Sequence, residues 1–240
     1  MDDSTESHPL PLEFLLDDQL IMAKKAELLD PKSGRAVYRL ELTNAPSLPP
    51  TVILKKQKPG WEDEFNNEIK AYNLLSRLQG TVIPILYGEA MYDGSPALVL
   101  SVISGTTLLE LAHGNFPESE EAALEVKIVA ALQALVKYGA QYMDERLDNF
   151  LLDDEDGQVK IVDLEHAKLS SSKVWPESFN YDTTRYLMYN KFTIARDPDS
   201  LPYVDPRAYH LMEHHYSPPP IEIGSDEYRG ESDSEGSIGK

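Results

Sequence analysis

The sequence contains no cysteine among its 240 residues. This absence excludes disulfide bonds, zinc sites with thiolate ligands and thiol nucleophiles. Long apolar runs are also missing, because no stretch approaches the roughly 20 residues that a membrane-spanning helix requires. The first residues, MDDSTESHPLPLEF, are acidic where a secretory signal peptide needs a basic region, and no apolar segment follows them. We therefore expect a cytoplasmic or nuclear protein that is not secreted.

Basic residues are scarce as well. The chain has 22 lysines and arginines against 41 aspartates and glutamates, which gives a formal net charge of -19. A surface this acidic repels phosphate backbones, so we expect neither nucleic acid nor membrane as a partner. Hydrophobic residues make up 41% of the chain, an ordinary value for a globular protein.

The composition changes along the chain and indicates four regions. Residues 1–12 are polar and are predicted to be disordered. Residues 218–240 combine proline, glycine, serine and carboxylates with few aliphatic side chains, and we predict an acidic disordered tail. Between these ends, residues 13–104 have mainly strand-like patterns and residues 105–217 mainly helical ones. The prediction is an α+β protein with two lobes, the second of them reduced and mainly helical.

The first lobe is predicted to contain a five-stranded antiparallel sheet and one helix. The helix is expected between Glu62 and Gln79, because acidic residues occupy its first turn and Gly80 follows it. Pro31–Gly34 is expected to form the turn of a hairpin. The strand-forming runs are QLIMAKKAELLD, AVYRLELT, TVILKKQ, TVIPILYGEAMYD and ALVLSVI.

The second lobe is predicted to contain a long helix from Ser119 to Tyr138 and a short hairpin. Ser119 is a suitable N-cap for this helix, and Gly139 directly after it is a suitable stop. The hairpin strands are NFLLDD and QVKIVD, and the residues between them form a turn around Gly157.

Three polar residues flank this hairpin. Asn149 opens its first strand and Asp163 closes its second, so pairing of the strands would bring both to the same end. A carboxylate and a carboxamide brought together supply hard oxygen ligands, which suit magnesium. Asp144, five residues before Asn149, could then act as a base beside the metal. Each residue alone is also common in solvated loops, and it is their joint spacing that favours a site.

The spacing of Asp144, Asn149 and Asp163 resembles the catalytic core of the protein kinase-like superfamily. The continuation Val162–Ala167 is similar to that of choline kinases and aminoglycoside phosphotransferases, in which a glutamate often stands at the position of Glu165. The combination RLDNF and VDLE also resembles small kinase-like proteins of fungi. The resemblance implies a two-lobed protein kinase-like fold, with ATP and magnesium as cofactors.

The resemblance also implies roles for individual residues. Asp144 would orient or deprotonate the acceptor hydroxyl, and Asn149 and Asp163 would hold magnesium. Arg146 stands two residues after Asp144, where many protein kinases place a lysine that contacts phosphate. The implied activity is magnesium-ATP-dependent transfer of a phosphoryl group to a hydroxyl of an unidentified small-molecule or protein acceptor.

In the first lobe, Val52–Lys55 resembles the strand whose lysine binds the nucleotide phosphates. Strand alternation places Lys55 on the face opposite to Lys56, but the register alone leaves open which of the two is the phosphate-binding lysine. On the following helix, Glu68 falls within an apolar arc, where a carboxylate is rarely tolerated without a partner. The superfamily pairs such a glutamate with the strand lysine, and this makes Lys55 and Glu68 the expected pair.

Three departures from the family pattern favour an alternative function. The hairpin before Lys55 has a single glycine, Gly34, where kinases have a glycine-rich loop. Tyr142 replaces the usual histidine, and Glu145 adds negative charge beside Asp144. The alternative is a pseudokinase that acts as a nucleotide-binding or protein-interaction module.

One further motif suggests a zinc hydrolase. His210, Glu213 and His214 match a pattern of metalloproteases, and on a helix both histidines would share one face. A catalytic zinc site needs a third ligand on a rigid scaffold, and mostly tail residues follow. We favour a chance match.

Overall fold

Six antiparallel strands close into a barrel in the first half of the chain. The computed structural model describes residues 13–29, 36–43, 45–170 and 177–199. The predictions for residues 1–12, for the turn at Pro31–Gly34, for the histidine motif around His210 and for the tail 218–240 lie outside the described residues. The strands, in the barrel order β1-β2-β3-β4-β6-β5, are β1 (Glu13–Leu16), β2 (Gln19–Leu28), β3 (Val37–Leu42), β4 (Thr51–Lys56), β5 (Leu86–Tyr92) and β6 (Ser95–Ser101).

The predicted five-stranded sheet is therefore wrong by one strand, β1. This strand pairs with β2 on one side and with β5 on the other, and it closes the sheet on itself. The turn between β1 and β2 consists of Asp17 and Asp18, with φ of 49° and 61°. Two positive φ values are typical of a tight hairpin turn, which glycine or asparagine usually signals. With two aspartates in the turn and only four residues in the strand, the sequence signal is weak.

Side chains that alternate along the strands fill the barrel. On β1, Phe14 and Leu16 point inwards while Leu15 points outwards. On β4, Val52 and Leu54 belong to the same interior core. Since successive side chains of a strand face opposite sides, the other face of β4 packs outside the barrel, against the next helix.

Helix α1 (Glu62–Leu74) lies outside the barrel, where its Glu68 pairs with Lys55 of β4. It ends earlier than the predicted Gln79, because a 3-10 turn over Ser76–Leu78 follows it. Gly80, with φ of 77°, comes after this turn. The buried side of α1 carries Phe65, Ala71 and Tyr72 and joins the core of the second half of the chain.

The second half of the chain is mainly helical, with two small sheets. The predicted long helix is present as α3, displaced by one residue at each end, and the predicted hairpin is confirmed by the pairing of Phe150 with Ile161. The sheets have the orders β10-β9-β7 and β11-β8. None of the helices in the described ranges is long and apolar enough to cross a membrane. The elements are β7 (Gly105–Thr107), α2 (Leu108–His113), α3 (Glu118–Lys137), β8 (Ala140–Gln141), β9 (Phe150–Asp153), β10 (Val159–Ile161), β11 (Lys168–Leu169), α4 (Glu177–Arg185), a π-helical segment (Tyr186–Phe192) and α5 (Thr193–Arg196).

Shortening a buried side chain of β1 should reveal whether this strand is part of the folded barrel. Phe14 is 2% exposed, so Phe14→Ala should lower the free energy of unfolding by about 3–5 kcal/mol. The matched control is Leu15→Ala on the same strand, which is 45% exposed and should change that free energy by no more than about 0.5 kcal/mol. Urea unfolding measures both. Equal, small losses would mean that β1 contributes nothing to the barrel.

Candidate functional site

The lysine of β4 that points out of the barrel is Lys55. Its side chain is buried between β4 and α1, whereas Lys56 points to the other side and pairs with Asp93. Lys55 Nζ lies 2.6 Å from Glu68 Oε2 of α1, and the Glu68 side chain is fully buried. Of the two neighbouring lysines that the sequence left open, the structure brings Lys55 to the glutamate.

Two more carboxylates reach the same ammonium group. Lys55 Nζ lies 2.9 Å from Asp163 Oδ1 and 2.9 Å from Glu165 Oε1, both in the segment that follows β10. One oxygen from each of Glu68, Asp163 and Glu165 lies within 4.8 Å of the others. Three carboxylate side chains thus surround one buried ammonium group, and we refer to these four residues as the carboxylate cluster.

The backbone conformation at Asp163 explains how Asp163 and Glu165, only two residues apart, bring their carboxylates together at Lys55. Asp163 has φ of 66°, a left-handed conformation that is uncommon for a residue other than glycine. The chain turns sharply there, and Glu165 N donates a hydrogen bond to Asp163 Oδ1 at 3.4 Å. In an extended strand, side chains two apart would share a face but lie roughly 7 Å apart along the chain.

The electrostatics of the carboxylate cluster are unbalanced. Burial lowers the pKa of Lys55, but the charges of its three carboxylate partners outweigh burial, and the resulting pKa lies above the ordinary value of a lysine. Burial raises the pKa of Glu68 above its ordinary value, and the charge of Lys55 opposes this only in part. When all three acids are ionised, the cluster has an excess of negative charge that one lysine does not neutralise.

Asp144 and Asn149 form a second part of the site. Asn149 Nδ2 donates a hydrogen bond to Asp144 Oδ2 at 2.9 Å. Val162 N donates to Asn149 O at 2.9 Å, so the start of β9 lies beside the end of β10. The structure therefore brings Asn149 next to the segment that carries Asp163.

Arg146 has a different partner. Its guanidinium group binds both carboxylate oxygens of Asp148, and Nε donates to Oδ1 at 3.0 Å. This hydrogen bond raises the pKa of Arg146 above its ordinary value. Glu145 is partly buried, which raises the pKa of its carboxyl group; Lys191 opposes this effect and Asp144 adds to it.

Tyr142, which replaces the usual histidine, takes part in the same arrangement. Its hydroxyl group is shared between Val162 O and Asp163 O, each at 3.2 Å. Burial, followed by the charges of Asp163 and Asp144, raises the pKa of this phenol well above its ordinary value, so it stays a hydrogen-bond donor. Tyr142 therefore supplies a hydrogen-bond donor to the backbone at Asp163.

Glu165 is the member of the cluster that sequence reasoning did not assign to the site. The sequence signal for Glu165 was its position two residues after Asp163, which entered the sequence analysis only as a feature of the family resemblance. Its Oε2 atom is buried and has no hydrogen-bond partner among the described residues. A buried carboxylate oxygen without a partner is costly unless something else satisfies it.

Comparison with known proteins supports the fold. No protein-family model matches the sequence, and no curated protein matches it. The crystal structure of the Mycobacterium tuberculosis PknI kinase domain is similar over 76% of this chain and 79% of that chain, with 18% identity and a TM-score of 0.53. Another crystal structure of that kinase domain matches over 77% of this chain and 74% of that chain, with 18% identity and a TM-score of 0.52. The chain has a protein kinase-like fold.

Within this kinase-like fold, the barrel is a departure. The resemblance implied a sheet of five strands, and the sixth strand β1 closes that sheet without touching the carboxylate cluster. The elements that carry the cluster are β4, α1 and the segment after β10.

Removal of Lys55 should destabilise the protein in a pH-dependent way. In Lys55→Met the three carboxylates lose their cation, and we expect a loss of about 3–5 kcal/mol in the free energy of unfolding at pH 7. Without Lys55 the charge that opposes the effect of burial on Glu68 is lost, so the pKa of Glu68 rises further above its ordinary value. A group with a raised folded pKa is destabilising at higher pH, so the difference from wild type should shrink between pH 7 and pH 5.

The measurement is urea unfolding at both pH values, with Lys56→Met as the matched control. Lys56 pairs with the exposed Asp93, so its removal should cost at most about 1 kcal/mol and show little pH dependence. A loss for Lys55→Met that is the same at both pH values would contradict the assignment of a cluster in which three buried carboxylates share one lysine.

Proposed function

We propose that this protein binds a magnesium nucleotide at the carboxylate cluster and transfers the terminal phosphoryl group to a hydroxyl of an acceptor. The observation that carries the proposal is the convergence of Lys55, Glu68, Asp163 and Glu165, in which Lys55 and Asp163 lie 108 residues apart in sequence. Perturbed, buried ionisable groups concentrated in one place are typical of functional sites. The likeness to PknI supports a kinase-like phosphotransferase at this general level.

The residues present fit a magnesium ion. Oxygen atoms of carboxylates and carboxamides are the ligands that this cation prefers. The cluster offers an excess of negative charge and a buried Glu165 oxygen without a partner among the described residues. Asp163 and Asn149 would hold the ion, with Glu165 as a further ligand. Bound there, magnesium would neutralise charge that develops on the transferred phosphoryl group.

Lys55 and Glu68 would act on the nucleotide phosphates. Glu68 fixes the ammonium group of Lys55 through a 2.6 Å contact, so the lysine approaches the phosphates from a defined position. In phosphoryl transfer most of the catalysis comes from such positioning and from charge stabilisation. Glu68 has no contact with the transferred group in this scheme; it positions Lys55.

Asp144 would receive the proton of the acceptor. The acceptor oxygen forms a bond to the terminal phosphorus as the bond between that phosphorus and the bridging oxygen breaks. The hydroxyl proton passes to a carboxylate oxygen of Asp144, and the nucleoside diphosphate leaves with the electron pair of the broken bond. Asn149 fixes the orientation of the Asp144 carboxylate by a hydrogen bond to Oδ2 at 2.9 Å.

An open cavity of about 460 Å³ adjoins this loop and is a suitable place for the acceptor. One wall consists of the residues that directly follow Asp144, namely Glu145, Arg146 and Asp148. The helical segment around Lys191 and Ile194 also lines the cavity. Arg146 would contact the transferred group from this side.

The alternative is a nucleotide-binding module without turnover. The observation that favours it is the occupation of both candidate phosphate-binding cations, because Lys55 is held by the cluster and Arg146 by Asp148. A pseudokinase would retain the fold and the metal site but fail in the chemical step. Binding and turnover must therefore be measured separately.

Binding is tested by thermal unfolding. ATP at about 100 times its dissociation constant should add about 2.7 kcal/mol of stability. For a chain of this size, the midpoint should rise by roughly 5–10 °C. Asp163→Ala should abolish the part of the shift that requires magnesium. An unchanged unfolding curve at saturating magnesium-ATP would remove nucleotide binding from the proposal.

Turnover is tested with Asp144→Asn, which keeps the shape of the side chain but loses the proton acceptor. General-base catalysis typically contributes about 10²–10⁴-fold, so phosphoryl transfer should slow by that factor while magnesium-nucleotide affinity stays nearly unchanged. The control is Asp154→Asn, an exposed aspartate of the β9–β10 turn, which should behave as wild type. The assays are ATP hydrolysis, phosphorylation of a pool of metabolites, and autophosphorylation.

The outcomes separate the two functions. Nucleotide binding by the wild-type protein without turnover in any assay would favour the pseudokinase. Turnover by Asp144→Asn at the wild-type rate would show that another group accepts the proton.

A further inference from the structure

Asp163 is followed by the short segment 164–167. Every residue of this segment contacts helix α1 or Trp61, the residue directly before that helix. Leu164 N donates a hydrogen bond to Glu68 Oε1 at 3.3 Å. The ring of His166 meets the ring of Trp61 edge-on, with 6.0 Å between centroids. The two remaining residues of the segment, Glu165 and Ala167, are both bound by one side chain of α1.

That side chain is Asn67. Its Nδ2 donates one hydrogen bond to Glu165 O at 2.9 Å and another to Ala167 O at 2.8 Å. An amide nitrogen has two hydrogens, so both donors of Asn67 are used on the backbone of this one segment. Asn67 directly precedes Glu68 in α1, and the same helix therefore holds Lys55 through one side chain and the acidic segment through the next.

We infer that Asn67 is a positioning residue for the metal-binding carboxylates: it ties α1 to the backbone of residues 165–167 and so keeps Asp163 and Glu165 directed at one point. The inference rests on the proposed function, because it concerns the same metal site. Asn67 itself touches neither metal nor nucleotide in this scheme.

The physical reason lies in the backbone at Asp163. A non-glycine residue with φ of 66° is strained and persists only where its surroundings hold it. Tyr142 holds the carbonyl of Asp163. Asn67 holds the carbonyls of Glu165 and Ala167, and without it the segment would relax and turn Glu165 away from Lys55.

Removal of the amide should therefore weaken metal binding more than it weakens the fold. Asn67 is only partly buried, so water can satisfy the two carbonyls in Asn67→Ala. Loss of a side chain that orients metal ligands typically costs about 10–100-fold in metal affinity, and we expect a loss in that range. ADP affinity in the presence of EDTA should stay close to that of wild type, because the Lys55–Glu68 contact is retained.

The experiment titrates the purified full chain with Mn²⁺ alone and follows free Mn²⁺ by electron paramagnetic resonance. Asn66→Ala is the matched control, because Asn66 is the same residue type, adjacent on α1 and exposed. It should bind Mn²⁺ as wild type does. Asn67→Gln returns an amide to the position and should recover part of the lost affinity.

A second variant guards against failure of Asn67→Ala to fold. Asn67→Asp keeps the shape, loses both donors and adds a negative charge. Charge alone would tighten Mn²⁺ binding, whereas loss of positioning would weaken it, so the two explanations predict opposite signs. Weaker binding supports the inference, and tighter or unchanged binding overturns it.

The remaining outcomes are also decisive. Equal Mn²⁺ affinity of Asn67→Ala and Asn66→Ala would overturn the positioning role while leaving the metal site intact. A parallel loss of Mn²⁺ and ADP affinity would indicate a general structural role and would likewise overturn it. Failure of the wild-type protein to bind Mn²⁺ would overturn the metal site itself, and the inference with it.

Discussion

A single buried ammonium group holds the three elements of the candidate site together. Lys55 comes from β4, Glu68 from α1, and Asp163 and Glu165 from the segment after β10. A buried charge must be paired and hydrogen-bonded, because desolvation without compensation costs several kcal/mol. Arrangements in which α1 or the acidic segment moves away leave either the lysine or a carboxylate uncompensated. The cost of burial therefore fixes the relative position of parts of the chain that are far apart in sequence.

The same cluster is a poor solution if stability is the only requirement. One lysine faces three carboxylates, Glu68 has a raised pKa, and Glu165 Oε2 has no partner within the described part of the chain. An apolar replacement of a buried ion pair is often as stable or more stable. Violations of this kind are expected where a site serves a ligand. The excess of negative charge is what a divalent cation would compensate.

The sequence was sufficient for those parts of the site that follow from local periodicity or spacing. Strand alternation and the apolar arc of α1, taken together with the family resemblance, led to Lys55 and Glu68 as the expected pair. The β9–β10 hairpin followed from two short strand-forming runs around a glycine turn. Features that depend on backbone conformation were not accessible. A positive φ at an aspartate carries no sequence mark, so neither the return of Glu165 to the cluster nor strand β1, which precedes two aspartates of that kind, could be predicted. Tyr142 counted as a departure from the family pattern, because the sequence shows the residue type but not the hydrogen bonds of its hydroxyl group.

The two cationic side chains of the proposed site, Lys55 and Arg146, differ in the free-energy cost of breaking their present ion pairs. Arg146 and Asp148 form a partly exposed pair, which is worth at most about 1 kcal/mol, so a phosphoryl group could take over Arg146 at little cost. Lys55 is buried among three carboxylates, and contact with the nucleotide phosphates would require it to give up its ion pairs with Asp163 and Glu165. That cost falls only if a cation replaces the ammonium charge. Metal and nucleotide should therefore bind cooperatively, because each removes the electrostatic penalty that the other would otherwise meet.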